Sequence, residues 1–299
     1  MKITLSDGLK QQFENEFLLP FNSLVASGII QNPCANGLHT PEAITIKNFH
    51  RNTILNQGRT DFEVGYDKLT AAQKVDLYCF YYFQMHFTSS YRFYLAETDF
   101  LHDSIKGKTV WFLDIGCGPF TSGLAFSSWL SKFTDLENTT INYIGADISK
   151  TMLAKAEMVA NNSHLNFSTK LFFDDKDHII DIPNVILDTQ NEIVIVLNYS
   201  YLFASNSLVV ADFVSFTTAL LSSYCNPQNR VAGKLIILQQ NPRLDSLNVK
   251  WASYKAQLPM LTSKGNYPQL FDFSFDDVLG CSNYVTPSFK VRCDVLKSA

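Results

Sequence analysis

The sequence predicts an αβ fold: a mostly parallel, twisted sheet with helices on both faces, antiparallel strands at its C-terminal edge, and an N-terminal helical extension. Three observations predict it. After the step Lys106-Gly107-Lys108, short aliphatic runs alternate with helical stretches. Those runs are apolar throughout rather than at every second residue, the pattern of strands buried on both faces. Before that step, aromatic and aliphatic residues recur at helical spacing instead. The 299 residues have the length for one αβ domain, residues 106–299, preceded by a helical region, residues 1–105.

The helical region is marked first by Thr40-Pro41-Glu42, a hydroxyl to cap, a proline for the first turn and an acid against the helix dipole. A second helix starts at Thr70, which stands at capping-box spacing from Gln73. Phe80, Phe83, Phe87, Tyr91 and Tyr94 then follow at intervals of three and four and share one face, widened by Tyr78, Tyr82 and Met85. In the second region, strands are expected over 110–115, 141–146, 166–173, 192–197 and 234–239. Helices are expected from the turn after 115 to about 132, over 150–161 with Ser149 as cap, and over 207–223. The tail reads as two more strands, 269–275 and 288–296, suited to an antiparallel pair on the sheet edge.

Composition narrows the function classes. A hydrophobic fraction of 46% with 17% charged residues is that of a packed chain. The net charge of −4 and a pI near 5.8 give no general attraction to a phosphate backbone, and no Lys/Arg run supplies a local one. The six cysteines form no CxxC pair and no His/Cys cluster at zinc spacing, so free thiols and no metal site are expected. The first residues mix charges of both signs and lack a signal-peptide core. The most apolar early stretch, residues 17–30, is interrupted by Pro20 and Asn22 and is too short to span a bilayer. A cytoplasmic location without membrane contact is the expectation.

Strand, Asp114-Ile115-Gly116-Cys117-Gly118-Pro119, helix: this order puts a turn with two glycines at the carboxyl end of the first strand, where open αβ sheets bind ligands. A dinucleotide cradle of the GxGxxG type would need a third glycine at 121, where Thr121 stands, and Pro119 removes a backbone donor. Within FLDIGCGPFTSGLAF the chain resembles the first motif of class I S-adenosylmethionine-dependent methyltransferases, which implies a Rossmann-like fold and that cofactor. The resemblance continues through NYIGADISKTMLAKAE, KLFFDD and NEIVIVLNYSYLF, in order, over about residues 106–240.

The resemblance implies roles for particular residues. Asp114, Gly116, Cys117 and Gly118 would form the turn under the methionine part of the cofactor. Asp147 would accept both ribose hydroxyls, with Ile148 and Met152 flanking the adenine and Asp174 or Asp175 near its amino group. Asn198, Tyr199, Ser200 and Tyr201, just past the fourth strand, would face the transferring methyl. Two departures are plain: Phe120 replaces the usual third glycine, so that the turn widens or the ring covers the cofactor, and 29 positions separate Gly118 from Asp147, the surplus falling in 134–140.

Methyl transfer needs donor and acceptor held in line, and a general base only for some acceptors. His86 and Tyr199 are the candidates for that base. Residues 1–105 would act as a lid over the carboxyl edge of the sheet, with Tyr78, Tyr82 or Tyr91 lining its pocket. An uncharged aromatic lid favours a small or planar acceptor. An RNA or protein acceptor stays open, as does a catalytically silent cofactor-binding module with a protein partner; oligomeric state is not legible.

Overall fold

The computed structural model describes residues 2–33, 35, 40–136, 138–163, 165–174, 182, 192–225, 233–265, 269–275, 278 and 288–298. Its centre is one mixed sheet. In chain order the strands are β1 (Lys2–Ile3), β2 (Thr109–Ile115), β3 (Thr140–Ala146), β4 (Thr169–Phe173), β5 (Ile193–Ser200), β6 (Lys234–Pro242), β7 (Thr262–Ser263), β8 (Gln269–Phe275) and β9 (Ser288–Lys297). They lie side by side as β1-β8-β9-β6-β5-β2-β3-β4, with β7 pairing β9. From β4 to β6 every neighbour is parallel, the doubly wound order of a Rossmann-like sheet. The last strand, β9, inserts antiparallel between β6 and β8. The tail is thus an antiparallel pair as expected, but it does not end the sheet, because β1 adds parallel to β8 outside it. Two residues are too few to carry an alternation, so β1 left no periodic signal.

The helices are α1 (Asp7–Phe13), α2 (Leu19–Ala26), α3 (Pro41–Asn48), α4 (Ala71–Tyr78), α5 (Gln84–Ala96), α6 (Thr98–Ile105), α7 (Thr121–Leu130), α8 (Lys150–Asn161), α9 (Val210–Tyr224) and α10 (Val249–Ala256). Thr40 caps α3 through Ala43 N–H, and Thr70 and Gln73 form the reciprocal capping box of α4. Strand alternation sorts the sheet into two cores. Val110, Phe112, Val194, Val196, Ile236 and Leu238 face one side, packed by α7, α8 and the N-terminal helices. Trp111, Leu113, Ile115, Ile195, Leu197 and Ile237 face the other, packed by α9 and α10. Strand β2 is buried along its whole length, which is why it shows no polar alternation.

Residues 1–105 and the sheet share one continuous core. Phe80 stacks on Phe21 at 3.6 Å and Phe83 on Phe17 at 3.9 Å, while Tyr94 meets Phe112 of β2 and Phe126 of α7 edge-on. Between α4 and α5 the helix widens to a π turn, Cys79–Phe83. One extra residue per turn rotates the whole of α5 relative to α4, so Phe83 and Phe87 pack on Phe13 while Tyr78, Tyr82 and His86 contact one another. The aromatic stripe expected from the sequence thus fans into two contact groups, with Tyr78 and Tyr82 still buried in the same core.

Phe120, the residue before α7, has φ +74° and is fully buried, edge-on to Tyr143 at 4.8 Å. Its ring enters the core beneath the turn, close against Gly123, instead of covering the turn from above. Left-handed backbone disfavours any side chain here, and the ring is retained for its burial. Phe120→Ala is expected to cost about 3–5 kcal/mol in urea unfolding. Phe120→Gly is expected to cost about 1 kcal/mol less than the alanine variant, because glycine takes the left-handed backbone at this cap position without steric cost. An alanine variant as stable as the glycine one would show that the backbone carries no strain.

Candidate functional site

The turn after β2 is built by continuing the ladder to β3 beyond the strands themselves. Gly116 and Cys117 both donate their N–H to Ala146 O, at 2.7 and 3.0 Å. Gly116 has φ +71° and Gly118 φ +52°, conformations that glycine takes without steric cost. Asp147 leaves β3 on the same edge, its own N–H on Phe173 O of β4 at 3.2 Å. Its two carboxylate oxygens then divide: Oδ2 accepts from Gly118 N–H at 3.0 Å and Oδ1 from Ser149 N–H at 2.9 Å. The glycine turn and the strand-end carboxylate are thus in direct contact. Burial raises the Asp147 carboxyl above its ordinary value, opposed by the N–H groups of Ser149, Gly118 and Ile148.

Beneath this edge lies a polar cluster in the sheet-helix interface. Asp114 is wholly buried, its Oδ1 accepting from Asn198 Nδ2 at 2.8 Å and its Oδ2 from Tyr143 Oη at 3.1 Å. Burial pushes its carboxyl up to about 7, against the pull of those two donors. The Tyr143 ring reaches Asp114 by crossing Gly145, where any Cβ would come within 2.9 Å of it. Asn198 also donates to Ser200 Oγ and accepts from Tyr94 Oη, so its amide is fully engaged. Ser122 of α7 and Gln240 of β6 close on Ser200 at 2.7 and 2.8 Å.

The segment after β5 covers the turn from the other side. Tyr201 has φ +61°, and Leu202 sits so close that a Cβ on Gly116 would lie 2.9 Å from its Cδ1. The Tyr201 ring stacks on His86 at 4.2 Å, and its hydroxyl donates to Ser89 Oγ. His86 Nδ1 shares a 3.3 Å hydrogen bond with Tyr78 Oη, and burial lowers its pKa to about 4, which keeps the imidazole neutral at pH 7. Glu63, from the N-terminal region, accepts from Ser149 Oγ and Thr151 N–H at the start of α8, two residues past Asp147.

The residues expected from the sequence therefore divide. Gly116, Gly118 and Asp147 meet at one place, with Ile148 beside them and 63% exposed. Cys117, Met152, Asp114 and Asn198 are buried and support that place from beneath. Asp174 pairs with Lys150 at 3.3 Å, and Asp175 lies outside the described residues. Tyr199 does not join His86: it is fully buried on the opposite face of the sheet, against Phe203, Phe213 and Tyr254. A strand period of two sends Tyr199 one way and Asn198 and Ser200 the other. Tyr201 is the tyrosine that reaches His86. Glu63, Tyr143 and Leu202 were not among the expected residues, whereas Tyr201 was; only Gly145, a glycine inside a buried strand, carried a signal of close approach.

The elevated Asp114 carboxyl makes stability depend on pH. Its folded pKa, about 7, exceeds the ordinary 3.8, so between those values the folded chain holds a proton that the unfolded chain loses. Its contribution is full at low pH and is lost as pH rises through about 7. In urea unfolding at pH 5 and pH 8, the wild type is expected to lose about 2 kcal/mol relative to Asp114→Asn over that interval. The buried histidines titrate alike in both proteins and cancel. A wild-type to Asn difference that is the same at both pH values would place the carboxyl in its ordinary range.

No family model matches the chain, and no curated protein matches it. Solved structures similar to it include magnesium protoporphyrin IX methyltransferase from Synechocystis with bound S-adenosylhomocysteine, 12% identical, covering 86% of this chain and 99% of that one at a TM-score of 0.38. Precorrin 8w decarboxylase from Methanobacterium thermoautotrophicum is 11% identical, covering 67% and 88% at 0.40. A protein from Pyrococcus horikoshii described as an RNA methyltransferase is 8% identical, covering 71% and 84% at 0.38. Identities and scores of this size are likeness in the outline of strands and helices and nothing finer. By its own strand order, with the glycine turn and strand-end carboxylate on one edge, the chain has a Rossmann-like αβ fold.

Proposed function

We propose that the chain is an S-adenosylmethionine-dependent methyltransferase acting on a small or planar acceptor. One observation carries the reading: the Gly118 N–H lies 3.0 Å from the Asp147 carboxylate, so the turn leaving β2 and the acid closing β3 form one site. The cofactor itself supplies an activated methyl group on a sulfonium. The residues present fit it. An added Cβ at Gly118 would meet nothing within 4 Å, so this side of the turn is open to a ligand's approach. The Asp147 carboxylate accepts backbone N–H groups yet offers about four acceptor positions, so capacity is left for a ribose hydroxyl. Ile148 offers an exposed apolar surface for a purine ring.

The remaining residues hold this arrangement. Asp114 and Asn198 set the end of β2 against β5, and Leu202 fixes Gly116. Of the two candidate bases, His86, neutral and stacked on Tyr201, lies on the face that carries the turn's supports, whereas Tyr199 points away. The rings of Tyr78, Tyr82, His86 and Tyr201 contact one another, with the Arg51 guanidinium 5.5 Å from the Tyr82 ring centroid, and this aromatic group supports a planar acceptor.

Titration calorimetry with S-adenosylhomocysteine tests the reading. The wild type is expected to bind, and Asp147→Ala to bind about 100-fold more weakly, the loss of two hydrogen bonds to a charged acceptor. Circular dichroism is expected to show the variant folded. A wild type that does not bind S-adenosylhomocysteine, or an Asp147→Ala variant with unchanged affinity, would remove the assignment.

A further inference from the structure

Where the chain leaves β6 it meets the start of β9, with Arg243 N–H on Lys290 O at 3.3 Å. A groove of about 320 Å³ opens there, lined by Arg243, Asp245, Leu270 and Arg292. Strand register brings Arg292 beside both Asn241 of β6 and Leu270 of β8, so three segments distant in sequence build it. Two of the chain's few arginines thus converge on one cavity of a protein whose net charge is −4.

The partners present do not satisfy this pair. Arg292 Nη1 stands 3.6 Å from Asp245 Oδ1, beyond hydrogen-bond range, and the Asp245 side chain is fully exposed, so water screens the contact. Arg292 Nε is buried and has no acceptor among the described residues. A buried donor left without an acceptor is destabilising, and such a group in a folded protein points to a water or an ion. Water would satisfy the N–H but leave two guanidinium groups facing one space. An oxyanion answers both, because guanidinium forks match carboxylate and phosphate oxygens in geometry as well as charge.

We propose that this groove binds the oxyanion of a small molecule, a phosphoryl or carboxylate group carried on an apolar body. Arg243 and Arg292 hold the anion. Leu270, 52% exposed on the wall, and Leu244, 62% exposed and next to Arg243 in the chain, meet the apolar part. The groove lies where β6 ends, on the same carboxyl edge of the sheet as the glycine turn but with β5 between them, and its lining does not include the glycine turn or Asp147, so it does not depend on the methyl-transfer reading.

The test uses the full chain, with phenyl phosphate and benzoate as probes and sodium chloride at matched ionic strength as control, followed by calorimetry. Saturable binding of at least one probe is expected, weakened about tenfold or more in Arg243→Gln and in Arg292→Gln. Preference for phenyl phosphate assigns a phosphoryl ligand, and preference for benzoate a carboxylate; either supports the site. Arg243 is exposed at the rim, so its variant keeps the test valid should Arg292→Gln fail to fold. Absence of saturable binding by both probes in the wild type, or binding unchanged in Arg243→Gln, overturns the proposal.

Discussion

The carboxyl edge of this sheet depends on one buried carboxylate. Asp114, next to last in β2, the middle of the five parallel strands, is shared by Asn198 from β5 and Tyr143 from β3, so a single acid ties three adjacent strands near their carboxyl ends. A buried acid is tolerated only when its oxygens are satisfied, and here both are. Everything above it inherits this position: the glycine turn starts two residues on, and Tyr201 and Leu202 leave β5 three and four residues after Asn198. The rise of its pKa toward neutrality is the cost of placing an acid in the interior, moderated by its two donors.

The N-terminal region is part of that interior rather than a cover laid on it. Ser90 and Tyr94 from α5 enter the polar cluster through Ser122 and Asn198, and Lys155 of α8 reaches back to Asp76 of α4 at 2.8 Å. Aromatic rings fill the space between helices and sheet because they supply large apolar area with few rotatable bonds. The π turn at Cys79–Phe83 then decides which rings pack on Phe13 and Phe17 and which meet His86. Glu63 completes the enclosure by capping α8, close to Asp147, with an acid from far earlier in the chain.

The far side of the sheet is organised differently. There Trp251, Tyr254, Tyr199 and Phe203 pack ring against ring, and Asp294 of β9 accepts from Trp251 Nε1 and pairs with Lys255. This face anchors the inserted last strand. That insertion carries Arg292 to the end of β6, so the same topological event that closes the sheet also assembles the arginine groove.

By itself the sequence determined the strands expected over 110–115, 141–146 and 192–197, the last of which runs on to Ser200, the caps at Thr40, Thr70 and Ser149, and the meeting of Gly116, Gly118 and Asp147. These are local matters: continuous burial writes an apolar run, a cap writes a hydroxyl, and a tight turn writes a glycine. Only the tertiary structure decided that Tyr199 turns away while Tyr201 reaches His86, that Phe120 dives into the core, that Asn198 serves Asp114, and that β1 joins the far edge. Side-chain direction at a strand end depends on which residue is the last in register, and long-range partners leave no spacing in the chain. A carboxylate that caps a helix 86 positions away, like Glu63, has no pattern to betray it, because nothing but the fold brings the two together.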